Sequence, residues 1–250
     1  INWTNLNNSN MNYAYNASAR DILNNENHTE TRTITLTLGD TAPPDIFFNS
    51  PDNEGDYFNA SSAYFEVTLS EDGNAVWYQI NTSLTNYSMQ TSNNLTWNAT
   101  NSSIADGHYQ ITAFANDSVG NLGSRSRNFS IDTIFPLIDF AQGTENSGVN
   151  ISRNWIFVNV TAIEINEQKI NFTLYNSVNT IINSTIFADG ARTINWTSLS
   201  NGNYKYNITI TDRADNLNST QTRTIRLDTV QPGANLISPV NGIYTNNETQ

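Results

Sequence analysis

The stretch YKYNITITDRADNLNSTQTRTIRL, Tyr204 to Leu227, recurs without a gap as YAYNASARDILNNENHTETRTITL, Tyr13 to Leu36. A third copy, YQITAFANDSVGNLGSRSRNFSID, runs from Tyr109 to Asp132 and needs a one-residue adjustment. Within the stretch Tyr204, Tyr206, Ile208 and Ile210 alternate with polar residues, the period of a strand buried on one side. Asp212 to Asn216 is rich in turn formers, and the alternation resumes at Ile225 and Leu227. Each repeat of about 95 residues is expected to fold on its own small core.

Working outward, each copy ends near a proline that opens the next stretch: Pro44 before DIFFNSP, Pro136 before LIDFAQG and Pro232 before GANLISP. The prolines are 92 and then 96 residues apart, one β-sandwich domain per interval. Residues 43–133 and 134–230 are therefore expected to be complete domains. Residues 1–42 read as the second half of another, and 231–250 as the first strand region of a further one, a slice of a longer array. Phe65, Val67 and Leu69, the turn SEDGN, and then Val76, Tyr78 and Ile80 predict a hairpin. Ile156, Val158 and Val160 lead in the same way to Ile170, Phe172 and Leu174, with a later strand at Ile194 and Trp196. About seven short strands per unit result, and no segment shows a helical period. The expected class is all-β with two packed sheets.

At 37% hydrophobic residues the 250-residue chain suits small sandwiches with one wet face per sheet. A net charge of -12 and a pI near 4.3 disfavour nucleic acid or an anionic membrane as partner, because either would be repelled. The chain has no cysteine and hence no disulfide. No run approaches the roughly 18 apolar residues of a membrane span, and INWTNLNNSN lacks the basic start and apolar stretch of a targeting signal.

Asp106, Gly107, His108, Tyr109, Gln110 and Ile111 resemble the immunoglobulin signature, in which a tyrosine near the start of the sixth strand lies two residues before the second cysteine. Ile111, Tyr206 or Tyr15 stands in that cysteine's place, which moves the resemblance toward fibronectin-like and bacterial or archaeal immunoglobulin-like modules. The turns Asp117 to Asn121 and Asp212 to Asn216, with the closing Asp132–Thr133 and Asp228–Thr229 before Pro136 and Pro232, resemble prokaryotic surface arrays of this kind. The richness in Asn, Ile and Thr looks more archaeal than bacterial. The resemblance implies tandem immunoglobulin-like or fibronectin III-like β-sandwich domains, and it specifies architecture better than activity.

Asn-X-Ser/Thr, the N-glycosylation acceptor pattern, occurs 20 times. The acceptors are Asn2, Asn7, Asn16, Asn27, Asn59, Asn81, Asn86, Asn94, Asn98, Asn101, Asn116, Asn128, Asn150, Asn159, Asn171, Asn183, Asn195, Asn207, Asn218 and Asn247. Chance pairing of 42 Asn with 53 Ser and Thr gives about 9, and the reversed pattern Ser/Thr-X-Asn occurs 9 times. Strand alternation raises both patterns equally, so the forward excess needs a cause that reads chain direction. Enzymatic acceptor recognition is such a cause, and it implies an extracellular, cell-surface location. Asn159, Asn171 and Asn207 each lie between apolar residues expected to point inward, so their side chains are expected to point out.

Catalytic chemistry has little to build on. His28 and His108 are the two histidines, and His108 is expected to be a solvated turn residue. No phosphate loop, metal-ligand spacing of His or Cys, or nucleophile elbow is present. Calcium is the one metal to weigh: Asp52, Glu54 and Asp56 alternate in DNEGD, and Asp132 and Asp139 flank a domain junction. The twelfth position of an EF-hand count from Asp52 is Ala63, so that motif fails, and Asp and Asn more often serve turns. Trp3, Trp97 and Trp196 recur at one place in each unit and are expected in cores. Trp77 and Trp155 are expected on outer faces, where they could stack on sugar or pack against protein.

These readings converge on a non-enzymatic, glycosylated extracellular scaffold that meets N-linked glycans, copies of itself or other surface proteins: a stalk, a surface-layer component or a filament subunit. An adhesin or carbohydrate-binding module is one alternative. The repeat tail of a large extracellular enzyme is another.

Overall fold

The computed structural model describes residues 11–36, 39–237 and Gly242, and every regular element among them is a β-strand. The first are β1 (Met11–Tyr15), β2 (Ser18–Arg20), β3 (Glu26–His28) and β4 (Arg32–Leu36). Next come β5 (Ile46–Ser50), β6 (Asp56–Phe58), β7 (Ala63–Leu69), β8 (Ala75–Ile80), β9 (Tyr87–Ser88), β10 (Gln90–Thr91), β11 (Thr96–Asn101), β12 (Gly107–Asn116) and β13 (Leu122–Ile131). The last are β14 (Leu137–Phe140), β15 (Val149–Ile151), β16 (Ile156–Ile163), β17 (Glu167–Asn176), β18 (Ile181–Phe187), β19 (Thr193–Trp196), β20 (Gly202–Asp212), β21 (Leu217–Ser219) and β22 (Arg223–Leu227).

Strands β5 to β13 form one sheet in the order β10-β11-β7-β5 and another in the order β6-β13-β12-β8-β9. Strands β14 to β22 repeat the plan as β14-β16-β19 and β15-β22-β20-β17-β18, with β21 added on β20. This is the immunoglobulin-like β-sandwich. Each opening strand is split. Strand β5 runs antiparallel to β7 and β6 parallel to β13, just as β14 pairs with β16 and β15 lies parallel to β22.

One expectation is corrected. Strands β7 and β8 do not form a hairpin, because they lie in opposite sheets, and so do β16 and β17. In the SEDGN loop the Gly73 N–H donates to the Asn94 carbonyl at 2.8 Å, while the Asn74 N–H donates to that of Asn116 at 2.7 Å. A hairpin would have put both apolar rows on one sheet with nothing opposite. Crossing over lets Phe65 meet Tyr78, ring centroids 5.1 Å apart.

The chain divides into two compact units. One comprises residues 1–54, 64–100 and 110–128, and the other 55–63, 101–109 and 129–250. In the first unit Ile46, Phe48, Phe65, Val67, Leu69, Val76, Tyr78, Ile111, Ala113 and Ala115 are buried. In the second, Ile156, Val158, Val160, Ile170, Phe172, Leu174, Tyr206, Ile208 and Ile210 form the core with Trp196 and Ile225. Each fully buried apolar side chain of this size contributes about 1.5–3 kcal/mol. Trp97 and Trp196 are core residues, as the alternation predicts, and Trp3 lies outside the described residues.

The sequence echo is also an echo of register. Tyr13 pairs with Ile34 as Tyr204 does with Ile225, and Ser18 pairs with His28 as Thr209 does with Ser219. Tyr204, Tyr206, Ile225 and Leu227 are buried, whereas Tyr13, Tyr15, Ile34 and Leu36 are half-buried. The tyrosine signature has its geometry too. The Tyr109 hydroxyl donates to the Ala105 carbonyl at 2.9 Å and that of Tyr204 to Ser200 at 2.8 Å, tying the chain that enters β12 and β20.

Candidate functional site

The turn that closes the echo is built three times from one aspartate and one asparagine. The Asp212 carboxylate accepts the N–H groups of Ala214 and Asn216 and, on its other oxygen, the Asn216 side-chain amide. Asp117 accepts from Val119, Gly120 and Asn121, and Asp21 from Leu23 and Asn25, again with the asparagine amide on the second oxygen. A side chain that bonds to the backbone two to four residues on fixes the turn without help from a sheet.

In the last two copies the asparagine also reaches into the neighbouring repeat. The Asn216 amide donates to the Asp132 carbonyl at 2.8 Å, and the Asn121 amide to the Asp40 carbonyl at 3.2 Å. Asp40 and Asp132 each begin a closing Asp-Thr. Asn166 adds a bond to the Asp132 carboxylate at 2.7 Å. The prolines are held at the same places. A Cβ on Gly123 would lie 2.3 Å from the Pro44 carbonyl oxygen, so only glycine admits that approach. Asn218, the matching residue of the next copy, donates to the Pro136 carbonyl at 2.9 Å. Asp212, Asn216 and Asp132 are all buried, where a hydrogen bond is costly to leave unmade.

Each clamp gathers three carboxylates whose oxygens lie within 4.8 Å of one another: Asp40, Glu71 and Asp117, and then Asp132, Glu164 and Asp212. The sequence pointed instead to Asp52, Glu54 and Asp56, which alternate, and to Asp132 and Asp139, which flank a domain junction. Among the described residues Asp52, Glu54 and Asp56 form no such trio, and Asp139 joins neither of the two trios found. Asp139 lies in β14 opposite Thr161, and Glu54 accepts the Asn128 amide. The trios are hard-oxygen sets of the type calcium takes. Most of their aspartate oxygens, however, already accept N–H donors: both of Asp212, both of Asp117, both of Asp132 from Ile134 and Asn166, and one of Asp40 from Ala42. The aspartates thus serve the turns. In the first trio Glu71 is pushed above the usual carboxylate range by burial and by the facing Asp40 and Asp117.

A cleft of about 340 Å³ in the second unit is lined by Tyr57, His108, Ile131, Ile134, Ile165 and other residues. His108 is exposed at the start of β12, and its Nδ1 lies 2.8 Å from the Ser130 hydroxyl. Ser130 is only 4% exposed, which closes that hydroxyl to a substrate.

The acceptor asparagines fall into groups. Asn159, Asn171 and Asn207 stand between buried neighbours and face away from the core, as alternation predicts. The side-chain nitrogen, the atom a glycan takes, is committed at three positions among the described residues: Asn128 to Glu54, Asn159 to the Gln142 carbonyl and Asn218 to that of Pro136. At two of these the acceptor hydroxyl is buried as well, Ser130 beside His108 and Thr220 accepting the Ile208 N–H. Asn16, Asn27, Asn59, Asn81, Asn86, Asn94, Asn150, Asn183 and Asn195 are exposed, while Asn98, Asn101 and Asn116 are half-buried. Asn2, Asn7 and Asn247 lie outside the described residues. Of the two outer tryptophans, Trp77 stacks on Phe114 with ring centroids 5.6 Å apart, and Trp155 lies under the Arg153 guanidinium at 3.7 Å. Each already has one face covered.

Residues 50–133 match the profile of the family described as bacterial Ig-like domain. Among solved structures the chain is similar to titin domains A168–A170, at 9% identity and a TM-score of 0.50, covering 86% of this chain and 75% of that one. It is also similar to the fibronectin(III)-like modules of Clostridium thermocellum CbhA, at 17% identity and a TM-score of 0.49, covering 73% and 93%. A tetra-tandem repeat from the extending region of a large adhesion protein shares 20% identity at a TM-score of 0.30, covering 88% and 57%. No curated protein matches the chain.

Proposed function

We propose that this chain is a non-catalytic extracellular scaffold, made of immunoglobulin-like repeats that follow the domain bounds read from the sequence and are clamped to one another. The observation that carries the reading is the repeated clamp: Asn121 on the Asp40 carbonyl and Asn216 on that of Asp132. A side-chain amide that spans two repeats resists bending at the junction in a way that a bare linker does not, and the prolines beside it restrict the chain further. Repetition of the same device at successive junctions is what a spacer requires. A protein that only needed independent domains would have no use for it.

Glycans on the exposed asparagines and the net charge of -12 would keep the sides of such a spacer hydrated and shield its backbone from proteases. The reading places it on the cell surface as a stalk, a surface-layer component or a filament subunit. The Ser130–His108 contact offers no accessible nucleophile, which favours a scaffold over a catalyst. Native material viewed by electron microscopy tests the proposal. Regular fibres, stalks or layers support it, and dispersed particles with a hydrolytic activity that follows this chain overturn it.

A further inference from the structure

Strands β15, β22 and β20 lie side by side in the six-stranded sheet, and a cleft of about 320 Å³ runs across them. Arg226 of β22 lies opposite Asn150 of β15 on one side and Asn203 of β20 on the other. In the next row Lys205 lies opposite Thr224. Tyr204, Ile225 and Leu227 are buried in the core, so alternation sends Asn203, Lys205, Thr224 and Arg226 to the outer face. Beside Thr224 the cleft stays open at Gly148, whose N–H donates to the Thr224 carbonyl at 2.8 Å and where an added Cβ would meet nothing within 4 Å.

The cleft has a chemistry opposite to that of the chain. The sequence holds 23 carboxylates against 11 lysines and arginines, yet the described residues that line the cleft include two of those cations and no aspartate or glutamate. Arg226 meets the Asp228 carboxylate only at 3.4 Å, in an exposed pair of the kind that contributes little. Lys205 is held by a neutral partner, the Asn179 side-chain oxygen at 2.7 Å. The fold itself does not demand these charges. In the preceding repeat Ser130 lies opposite Tyr57 as Arg226 does opposite Asn150, and Gln110 follows Tyr109 as Lys205 follows Tyr204. An arginine fork between two amides, with an ammonium one row away, matches a planar carboxylate, and the surrounding amides and hydroxyls match the hydroxyls of a sugar. A source for that sugar lies in the cleft wall. Asn150 begins the acceptor pattern Asn150-Ile151-Ser152, with Asn150 and Ser152 both exposed, and it is not among the three acceptors whose nitrogen is committed to the fold.

We propose that this cleft seats a carboxylate-bearing sugar of a glycan attached at Asn150, so that the glycan lies back along the sheet with its acid group on Arg226 and Lys205. Lys205 stands two strands from Asn150, about 10 Å away, within reach of a short glycan. The inference rests on the glycoprotein reading and deepens it by naming the chemistry of one glycan and the place where it sits.

Lys169 and Lys205 are the only lysines in the chain, which makes the test direct. A water-soluble carbodiimide adds to a carboxylate to give an acylisourea, and a lysine amine in contact with that carbon forms an amide while the urea leaves. Native protein treated in this way and digested should yield a peptide in which the Asn150 glycan is joined to Lys205, about tenfold more abundant than any joined to Lys169, because only the seated carboxylate is held against its amine. Arg226→Gln, at an exposed position that leaves the core untouched, should lower that yield about fivefold although Lys205 is still present. Absence of the Asn150–Lys205 product, equal coupling at Lys169, or a yield indifferent to Arg226→Gln would overturn the proposal. A bare Asn150 beside occupied acceptors elsewhere would overturn this inference alone, whereas bare asparagines at every acceptor would remove the glycoprotein reading with it.

Discussion

Asn216 donates its side-chain amide to the backbone carbonyl of Asp132 across 2.8 Å while holding the Asp212 carboxylate at 2.9 Å, so one buried nitrogen ties a turn in one repeat to the end of the repeat before it. Asn216→Ala removes both bonds and leaves a buried carboxylate oxygen without this donor. The expected loss is about 1–3 kcal/mol of folding stability, read as a lower urea midpoint. Asn121→Ala should cost less, because Asn121 is half-buried and its bond to Asp40 is longer at 3.2 Å.

The first carboxylate trio makes a pH prediction. Burial, and then repulsion from Asp40 and Asp117, holds the Glu71 carboxyl above the ordinary glutamate value of 4.5. The folded chain therefore binds that proton more tightly than the unfolded chain. Glu71's stabilising share is complete below the ordinary value and is lost as pH rises through the raised one. Glu71→Gln should accordingly raise the thermal midpoint at about pH 7, with the gain fading toward about pH 4. Asp117 has the opposite sign. Burial works against its charge, but bonds from Asn121, Val119 and Gly120 outweigh it and lower the value below 3.8. Asp117→Asn should destabilise at neutral pH, and the penalty should shrink as acid protonates the wild-type residue.

Gly123 is a packing prediction. An alanine methyl would sit 2.3 Å from the Pro44 carbonyl oxygen, so either the strand or the proline segment must move. Gly123→Ala is expected to cost about 1–3 kcal/mol by thermal or chemical denaturation. At Asn218 the same place already carries a side chain that bonds the Pro136 carbonyl, and Asn218→Gly should lose that hydrogen bond without relieving any clash.

Glycopeptide mapping of native protein tests the sorting of the acceptor sites. Occupancy is expected at exposed positions such as Asn150 and Asn195, and not at Asn128 and Asn218, where side-chain nitrogen and acceptor hydroxyl are both committed to the fold. Full occupancy at Asn218 would show that modification precedes formation of the clamp.

Strand alternation made the fold readable, because a period of two fixes which side chains point inward wherever one face is buried. Phe65, Val67, Val158, Phe172 and Tyr206 are buried where that period puts them. Alternation says nothing about which strand lies alongside, and for that reason β7 and β8 read as a hairpin although they lie in opposite sheets. The clamp was half legible. The Asp-to-Asn turn and the closing Asp-Thr both stood out as repeated motifs, but their meeting depends on tertiary approach over some 80 residues, between Asn216 and Asp132 and between Asn121 and Asp40. Glu71 and Glu164 carried no sequence signal, since each joins its aspartates only through folding.

The clamp itself is most directly tested by a distance across it. Nitroxide labels at Ala105→Cys, in the earlier repeat, and Ser177→Cys, in the later one, are the only thiol sites in the cysteine-free chain. Pulsed electron resonance should give one narrow distance distribution that broadens when Asn216→Ala is added. A broad distribution in the clamped chain, or one indifferent to Asn216→Ala, would contradict the account.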